Sequence, residues 1–190
     1  MKRGDAGEPP MVRVWDVAVR SLHWLLAASV LIAWFSGHLL ERWFEAVHHT
    51  AGYVAGAVVI VRVAWGLVGR GHARFDAFVR SPHDTWAYAR HVLAAREPRY
   101  LGHNPLGAWM VVALLLITAA LSLSGMLYVG DWLWGYAWLW LTHAVLAWLL
   151  MALVLGHWAG VGFTGWRHRE SLTTAMFSGR KRAAAEHEIP

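Results

Sequence analysis

Histidine is the residue type in this sequence best placed to carry chemistry inside apolar segments. The apolar stretch THAVLAWLLMALVLGHWAG at 142–160 contains two of them, His143 and His157. On a helix, a separation of this size brings both side chains to nearly the same face, about 21 Å apart along the axis. Imidazole is costly to bury unless it is hydrogen-bonded or binds a metal. The chain has no cysteine, which excludes thiolate ligands and leaves histidine as the main candidate metal ligand.

The segments that carry these histidines have the composition of membrane-spanning helices. The 190-residue chain is 57% hydrophobic and only 15% charged. Its apolar residues gather in four runs, each near the roughly 20 residues that cross about 30 Å of hydrocarbon. The runs lie at about 20–38, 46–68, 105–128 and 137–161. Because backbone polar groups in lipid must be paired within the segment, we predict an all-α fold: one domain over 1–190, an integral membrane four-helix bundle.

Basic residues alternate between the two sides of this predicted bundle. Lysine and arginine are frequent before the first run, in the second connection and in the C-terminal tail, and scarce in the first and third connections. Cytoplasmic loops carry the excess of such residues, so both termini and the long second connection are predicted to be cytoplasmic. The net charge of +5 follows from this asymmetry and requires no nucleic-acid partner.

The second connection, between the second and third runs, contains a predicted surface helix. SPHDTWAYARHVLAA at 81–95 begins with Ser81 and Pro82, a typical helix start, and continues with the alternation of aromatic and basic residues of a short amphipathic helix lying on the membrane. Six of the 12 histidines fall in loops or tails. We expect most of these to be solvated and assign them no metal role: His72, His83, His91, His103, His168 and His187.

Depth along the spans sorts the remaining histidines into two layers. His23, near the cytoplasmic start of the first span, lies at the same depth as His157, and we call this the inner layer. The outer layer holds His143 and one of the neighbours His48 and His49. Two histidines per layer are what two bis-histidine centres need, and haem iron takes two axial ligands on opposite faces, whereas zinc requires three or four clustered ligands. The competing interpretation is a set of hydrogen-bonded histidines that tie the helices together.

The outer layer leaves alternatives open. His48 shares a helix face with Gly52 and Gly56, and a glycine below a ligand leaves space for a flat macrocycle, which favours His48 over His49. The same glycine spacing is also an ordinary helix-packing motif. His38 lies near the outer end as well, where it could face the interface or replace one of the assigned ligands.

Two arginines within or next to the spans also need partners. Arg62 lies in the inner half of the second span, and Arg20 is one turn before His23. A guanidinium fork suits a carboxylate such as a haem propionate. Extension of the side chain to the cytoplasmic headgroups is the alternative for each.

Four segments together carry a resemblance to a known family. They are VWDVAVRSLHW at 14–24, HHTAGYVAGAVVIVRVAWGLVG at 48–69, YLGHNP at 100–105 and the stretch at 142–160. With these segments the chain resembles the prokaryotic cytochrome b561 family, which is similar to the b-type cytochrome subunits of nickel–iron hydrogenases and membrane formate dehydrogenases. The resemblance implies two haem b groups, one held by His23 and His157 and the other by His48 and His143. His49 stands where the family varies and is not carried over.

The resemblance also implies a function. It is electron transfer in the bacterial inner membrane between the quinone pool and a redox partner such as a cytochrome c, a hydrogenase or a dehydrogenase. Two axial histidines saturate the iron, which favours outer-sphere electron transfer over oxygen chemistry. The alternatives are a stand-alone quinone-linked oxidoreductase acting on superoxide or another small molecule, and a haem-handling membrane protein without a redox role. The quinone site, the partner, the direction of electron flow and a homo-oligomeric state are not decided by the sequence.

Overall fold

A computed structural model describes residues 10–38, 44–130, 133, 135–185 and 188–189. The elements, in chain order, are β1 (Met11–Arg13), α1 (Val17–His38), α2 (Glu45–Val68), a 3-10 turn (Gly71–Ala73), α3 (Phe75–Phe78), α4 (Pro82–Leu93), α5 (Pro105–Val129), α6 (Ala137–His168), α7 (Leu172–Ser178) and β2 (Arg180–Arg182).

The four long helices α1, α2, α5 and α6 are each long and apolar enough to cross a membrane. They cover the four apolar runs, and the prediction of four membrane helices is confirmed. Helix α6 continues to His168, seven residues beyond the predicted end of the run at 161. Many large apolar side chains point outward, such as Ile60 at 72% and Leu116 at 64% exposed, as expected for surfaces that meet lipid rather than water.

Small residues allow the long helices to pack. Helix α1 packs on α2, α2 on α5 and α5 on α6, whereas α1 and α6 do not approach each other closely. Ala51 and Ala55 are buried within the bundle, and a Cβ added to Gly56 would lie 3.1 Å from Cβ of Ser122 on α5. Small residues at helix contacts are typical of membrane bundles. The wider space between α1 and α6 is bridged by long side chains, among them the histidines described below.

The short elements form a cap at one end of the bundle, which we define as residues 10–16, 69–104, 169–185 and 188–189. Strands β1 and β2 pair antiparallel, with Val12 opposite Lys181, so the all-α prediction omitted a small β-ribbon. Trp15, Val19 and Ala175 belong to the apolar cluster beneath it. Both ends of the described chain and the second connection therefore lie on one side of the bundle. That this side is cytoplasmic stays a prediction.

Helix α4 occupies the segment where a surface helix was predicted. The Oγ atom of Ser81 accepts a hydrogen bond from the Asp84 backbone N–H at 3.1 Å, and Pro82 is the first helical residue, an arrangement that satisfies the free N–H groups of a helix start. Trp86 is 67% exposed and Leu93 87%. These apolar side chains face away from the bundle, and their contact with the membrane surface stays a prediction.

Candidate functional site

The inner histidine pair consists of His23 on α1 and His157 on α6. Their ring centroids are 6.4 Å apart, with 56° between the ring planes. The edge of the His23 ring meets Trp24, at 4.9 Å between centroids. The Nδ1 atom of His23 is buried and has no hydrogen-bond partner in the described part of the chain.

The outer histidine pair consists of His48 on α2 and His143 on α6, with ring centroids 6.1 Å apart and 73° between the ring planes. Two imidazoles that bind one metal ion from opposite sides, through bonds of about 2 Å, have ring centres roughly 6 Å apart. Among the described residues, no hydrogen bond joins the two rings of either pair. The spacing of both pairs therefore fits a metal ion between the rings better than a direct contact.

Hydrogen bonds at Nδ1 orient both outer histidines. The Nδ1 atom of His48 lies 2.8 Å from the carbonyl oxygen of Ala33, which can only accept, so His48 carries its proton on Nδ1. The Ser124 hydroxyl donates to the carbonyl oxygen of Leu121 at 2.9 Å and accepts from Nδ1 of His143 at 3.0 Å. Each ring thus keeps the lone pair of Nε2 for a metal, the arrangement that usually fixes the tautomer of a histidine ligand.

Two glycines give the outer rings room to approach the neighbouring helices. A Cβ on Gly37 would lie 2.9 Å from Nδ1 and Cε1 of His48, and a Cβ on Gly125 would lie 3.0 Å from Cε1 of His143. Neither glycine was predicted from the sequence to be part of the outer site. A signal was present, because α1 and α5 both carry a Ser-Gly pair near the outer end, in FSGH at 35–38 and LSGM at 123–126.

The glycines below His48 behave differently from each other. Among the described residues, no atom outside the backbone of α2 lies within 4 Å of a Cβ built on Gly52, whereas Gly56 packs against Ser122. Gly56 therefore serves helix packing, which was the alternative explanation of the motif. The open surroundings of Gly52 leave the predicted space for a macrocycle.

The two competing histidines of the outer end have other contacts. His38 stacks on Trp34, with centroids 4.7 Å apart, and its Nδ1 lies 3.0 Å from the Trp34 carbonyl oxygen. Nε2 of His49 lies 3.9 Å from Glu45 Oε1, one turn earlier in α2. Of the outer-end candidates, His48 is the one whose ring faces His143.

Both arginines carry buried guanidinium atoms. Arg62 is 7% exposed, its guanidinium carbon lies 5.2 Å from the centre of the Phe75 ring, and its Nη1 has no partner among the described residues. Arg20 donates from Nη1 to the Ser178 carbonyl oxygen at 3.3 Å, while its Nε is buried without a partner in the same part of the chain. A buried polar group left unpaired costs about 1–3 kcal/mol, and more when charged. A side chain that extends to the lipid headgroups would be exposed at the surface of the bundle, whereas Arg62 is buried.

Three of the loop histidines are only partly exposed, namely His72, His103 and His168. His103 is packed between Trp15 and Phe78, with its ring centroid 4.6 Å from each of theirs. Its Nδ1 is buried and has no partner in the described residues. His83, by contrast, has a side chain that is 91% exposed. His187 lies outside the described residues.

The donor set fits haem. Within the described ranges no group of three or more His, Asp or Glu side chains is arranged to hold a metal ion, so the histidines are grouped in twos, as axial ligation requires. The outer pair keeps Nε2 lone pairs directed between the helices, and the inner end holds unpaired cationic donors suited to carboxylates. These features are compatible with a flat, anionic macrocycle held between α1, α2 and α6.

The chain matches one protein family over most of its length. The profile described as prokaryotic cytochrome b561 covers residues 14–179, which include both histidine pairs, both arginines and most of the cap.

Curated relatives carry a consistent name. A probable Ni/Fe-hydrogenase B-type cytochrome subunit of Bradyrhizobium diazoefficiens is 25% identical over 214 aligned positions, covering 90% of this chain and 86% of the relative. Proteins of the same name from Azotobacter vinelandii and Cupriavidus necator are 26% and 24% identical, covering 67% and 62% of this chain and 63% and 58% of their own lengths. No solved structure is significantly similar to the chain.

Proposed function

Because this chain belongs to the prokaryotic cytochrome b561 family, we propose that it binds two haem b groups and conducts electrons across the bacterial inner membrane between them. The chain is a multi-pass bacterial membrane protein of the b-type cytochrome class, and its family membership indicates membrane electron transfer through haem b. The number of haems, their ligands and the electron donors and acceptors are the parts that we propose.

The observation that carries the proposal is the matched spacing of the two histidine pairs. His23 and His157 would hold the inner haem, and His48 and His143 the outer one, since both ring separations, 6.4 and 6.1 Å, are those of two axial imidazoles. When bound, haem supplies a one-electron couple at iron. Two histidine ligands for each haem would leave no position at the iron for oxygen. Gly52 leaves space beside the outer ligand.

Arg62 and Arg20 would hold the carboxylates of the inner haem. Their unpaired guanidinium atoms are charged donors in a water-poor environment, where a hydrogen bond to a carboxylate is stronger than one between neutral groups. The exchange of electrons needs no bond to form or break in the protein. The role of the chain is therefore to fix the two haems and to set their potentials through ligands, hydrogen bonds and burial.

We further propose that the haem at one end exchanges electrons with membrane quinone and that the haem at the other end exchanges electrons with a redox protein. The relatives are named as hydrogenase B-type cytochrome subunits, which favours a hydrogenase-like partner over a cytochrome c or a dehydrogenase. A stand-alone oxidoreductase acting on superoxide or another small molecule is the alternative function. It predicts turnover by the purified chain without any partner protein.

The test is a haem count on the purified full chain. A pyridine haemochrome assay should give two haems b per chain, with low-spin spectra in both oxidation states. His48→Ala should leave about one haem per chain, whereas His49→Ala, its neighbour on the same helix, should leave two. His23→Ala or His157→Ala should each remove the other haem. A wild-type chain with no haem would contradict the proposal, and loss of haem from His49→Ala rather than His48→Ala would reassign the outer ligand.

A further inference from the structure

Unpaired buried donors are concentrated at the inner end of the bundle. The buried side-chain polar atoms without a partner in the described chain are Arg20 Nε, His23 Nδ1, Trp24 Nε1, Trp34 Nε1, Arg62 Nη1, Glu97 Oε2 and His103 Nδ1. Six of these seven atoms belong to residues at the inner end or in the cap; five are nitrogens, and the sixth is Glu97 Oε2, whose partner oxygen Oε1 accepts from Arg167. Native proteins pair nearly all such atoms. A group of unpaired nitrogens in one place therefore indicates a ligand rich in acceptor oxygens.

His103 is held in this group by the start of α5. The Asn104 side chain accepts from the Gly107 N–H at 2.7 Å and so caps the helix, and Pro105, which is fully buried, is its first residue. On the other side, Lys181 donates to the carbonyl oxygens of Tyr100 and Leu101. The backbone of 100–105 is thus fixed at both ends, and the His103 ring has no freedom to turn out of the cap.

The neighbours of His103 connect it with the inner haem site. Phe78, which packs on its ring, lies 5.7 Å from Phe75, and Phe75 lies beneath the Arg62 guanidinium. Arg62 and His157 are both near enough to act electrostatically on His103. Asp16, an acidic side chain at this end, is already engaged, since it accepts from the Val19 N–H and from Trp65 Nε1. Asp16 is near enough to act electrostatically on Arg62, but within the described residues it makes no hydrogen bond to any of the five unpaired nitrogens.

We propose that His103 is a positioning residue for the inner haem, donating a hydrogen bond from Nδ1 to a propionate carboxylate that Arg62 also binds. This inference depends on the proposed function, because it requires an inner haem. It adds a residue from the cap to a site otherwise built from membrane helices. The docking of the cap and the electronic properties of the haem would then be coupled through one imidazole.

The charge state of His103 is consistent with this role. Burial lowers the pKa of His103 to about 3, and the cations Arg62 and Lys181 act in the same direction. The ring is neutral near pH 7 and carries a single N–H. The neighbouring rings of Trp15 and Phe78, tilted by 56° and 42° against the imidazole, offer no carbonyl or carboxylate oxygen to its nitrogens.

Three variants of the full chain test the inference by redox titration of the haem absorbance and by resonance Raman spectroscopy of the propionate bending modes. His103→Phe keeps an aromatic ring between Trp15 and Phe78 but has no N–H. His103→Asn returns an amide N–H near the position of Nδ1. His72→Phe is the matched control, because the His72 ring also contacts Trp15, at 6.3 Å between centroids, and is not among the unpaired donors of the described residues.

We expect His103→Phe to lower the midpoint potential of one haem, because a less compensated carboxylate stabilises ferric iron. At the wild-type midpoint, the ratio of reduced to oxidised haem should fall by up to about tenfold, equivalent to 59 mV for a one-electron couple. The shift should persist in His48→Ala, where the inner haem alone is expected. The propionate bands should change in His103→Phe and return in His103→Asn, while His72→Phe should match the wild type.

The failures of the two proposals are distinguishable. If the wild type binds two haems and His103→Phe changes neither potential nor the propionate bands, the inference is wrong and the proposed function stands. The same conclusion follows if His72→Phe produces an equal shift. If the wild type binds no haem, the proposed function fails and the inference fails with it. Should His103→Phe not fold, His103→Leu and His103→Asn, which are similar in shape and differ in the N–H, decide the question in the same assays.

Discussion

A single hydroxyl would tune one of the two proposed outer ligands. The Ser124 hydroxyl accepts a hydrogen bond from His143 Nδ1, and such a bond increases the basicity of a metal-binding imidazole and favours ferric iron. We therefore predict that Ser124→Ala raises the midpoint potential of the outer haem, by an amount of order tens of mV, where about 59 mV is a tenfold change for one electron. The measurement is a redox titration that resolves both haems.

The control for this prediction lies two residues away. Ser122 donates to the Gly52 carbonyl oxygen at 3.4 Å on α2 and does not touch either histidine of the outer pair. Ser122→Ala should therefore leave both potentials unchanged. Equal shifts in the two variants would mean that the bond between Ser124 and His143 has no specific effect on the haem.

A second prediction at the residue scale concerns Gly37. Any Cβ at this position would lie 2.9 Å from the His48 ring, so Gly37→Ala must displace the ligand. Disturbing the support of a ligand typically lowers metal affinity roughly 10–100-fold, and we expect the haem count to fall towards one per chain after purification. Gly162→Ala is the matched control on α6, since it lies on a different face from His157 and no described atom outside the backbone of α6 is within 4 Å of its Cβ. Both changes give similar gains in helix propensity, and an unchanged haem count in Gly37→Ala would refute the close contact.

At the scale of the elements, Asp16 connects two membrane helices. Its Oδ1 caps α1 by accepting from the Val19 N–H at 2.7 Å, and its Oδ2 accepts from Trp65 Nε1, near the end of α2, at 3.0 Å. Losing an N-cap costs about 1 kcal/mol, and the second bond is partly exposed, so Asp16→Ala should lower the free energy of unfolding by about 1–2 kcal/mol.

Two further variants separate the contributions of Asp16. Asp16→Asn should retain most of the cap, and Trp65→Phe should remove the bond to α2 alone. Unfolding by sodium dodecyl sulfate, followed by circular dichroism, measures all three. If Asp16→Asn lowered the free energy of unfolding as much as Asp16→Ala, loss of the N-cap would not explain the destabilisation.

The elements also show which features can be predicted from the sequence. Helices α1, α2, α5 and α6 were predictable because hydropathy and helix periodicity are local properties of the chain. The same periodicity predicted different depths in the membrane for His143 and His157. In the structure, each lies near a histidine that was predicted at the same depth. The choice between His48 and His49 needed the packing of α1 as well, because the Ala33 carbonyl oxygen orients His48.

The cap was not predictable in the same way. Strand β1 pairs with β2 from the opposite end of the described chain, and Lys181 contacts a carbonyl oxygen 80 residues earlier in the sequence. Three-residue strands give no periodic signal, and long-range contacts leave no local pattern. The packing of His103 depends on Trp15 and Phe78, which are far from it in the sequence, so its partial burial could not be predicted from the local sequence.

At the scale of the whole molecule, buried ion pairs hold the C-terminal tail on the second connection. Arg99, whose side chain is 4% exposed, lies 2.8 Å from Glu170 Oε1 and 2.7 Å from Glu188 Oε2. Arg182 also binds Glu188, at 2.7 Å. Removing one member of such a network leaves a buried charge uncompensated, which costs more than the pair itself contributes. The described part of the C-terminal tail is thus fixed to the second connection, which also carries His103.

Acid should release this tail. Burial alone would raise the pKa of Glu188, but hydrogen bonds from Arg182, the Ala185 N–H and Arg99 outweigh it and lower the pKa from 4.5 to about 2. A carboxyl group with a depressed pKa stabilises the docked state fully above its free pKa and loses that contribution as the pH falls through its docked value. We therefore predict that the tail stays docked above about pH 5 and detaches progressively between about pH 4.5 and 2.

Hydrogen exchange of two backbone amides measures this release. The Ala183 N–H donates to the Pro10 carbonyl oxygen and the Ile189 N–H to that of Arg99, at 2.8 and 2.9 Å, so both should be protected at pH 6 and lose protection, after correction for intrinsic rates, near pH 3. In Glu188→Gln the protection should already be low at pH 6 and should change little with pH, because the titrating group is absent. Equal protection of the wild type at both pH values would show that the tail is held by apolar contacts of the cap rather than by charge.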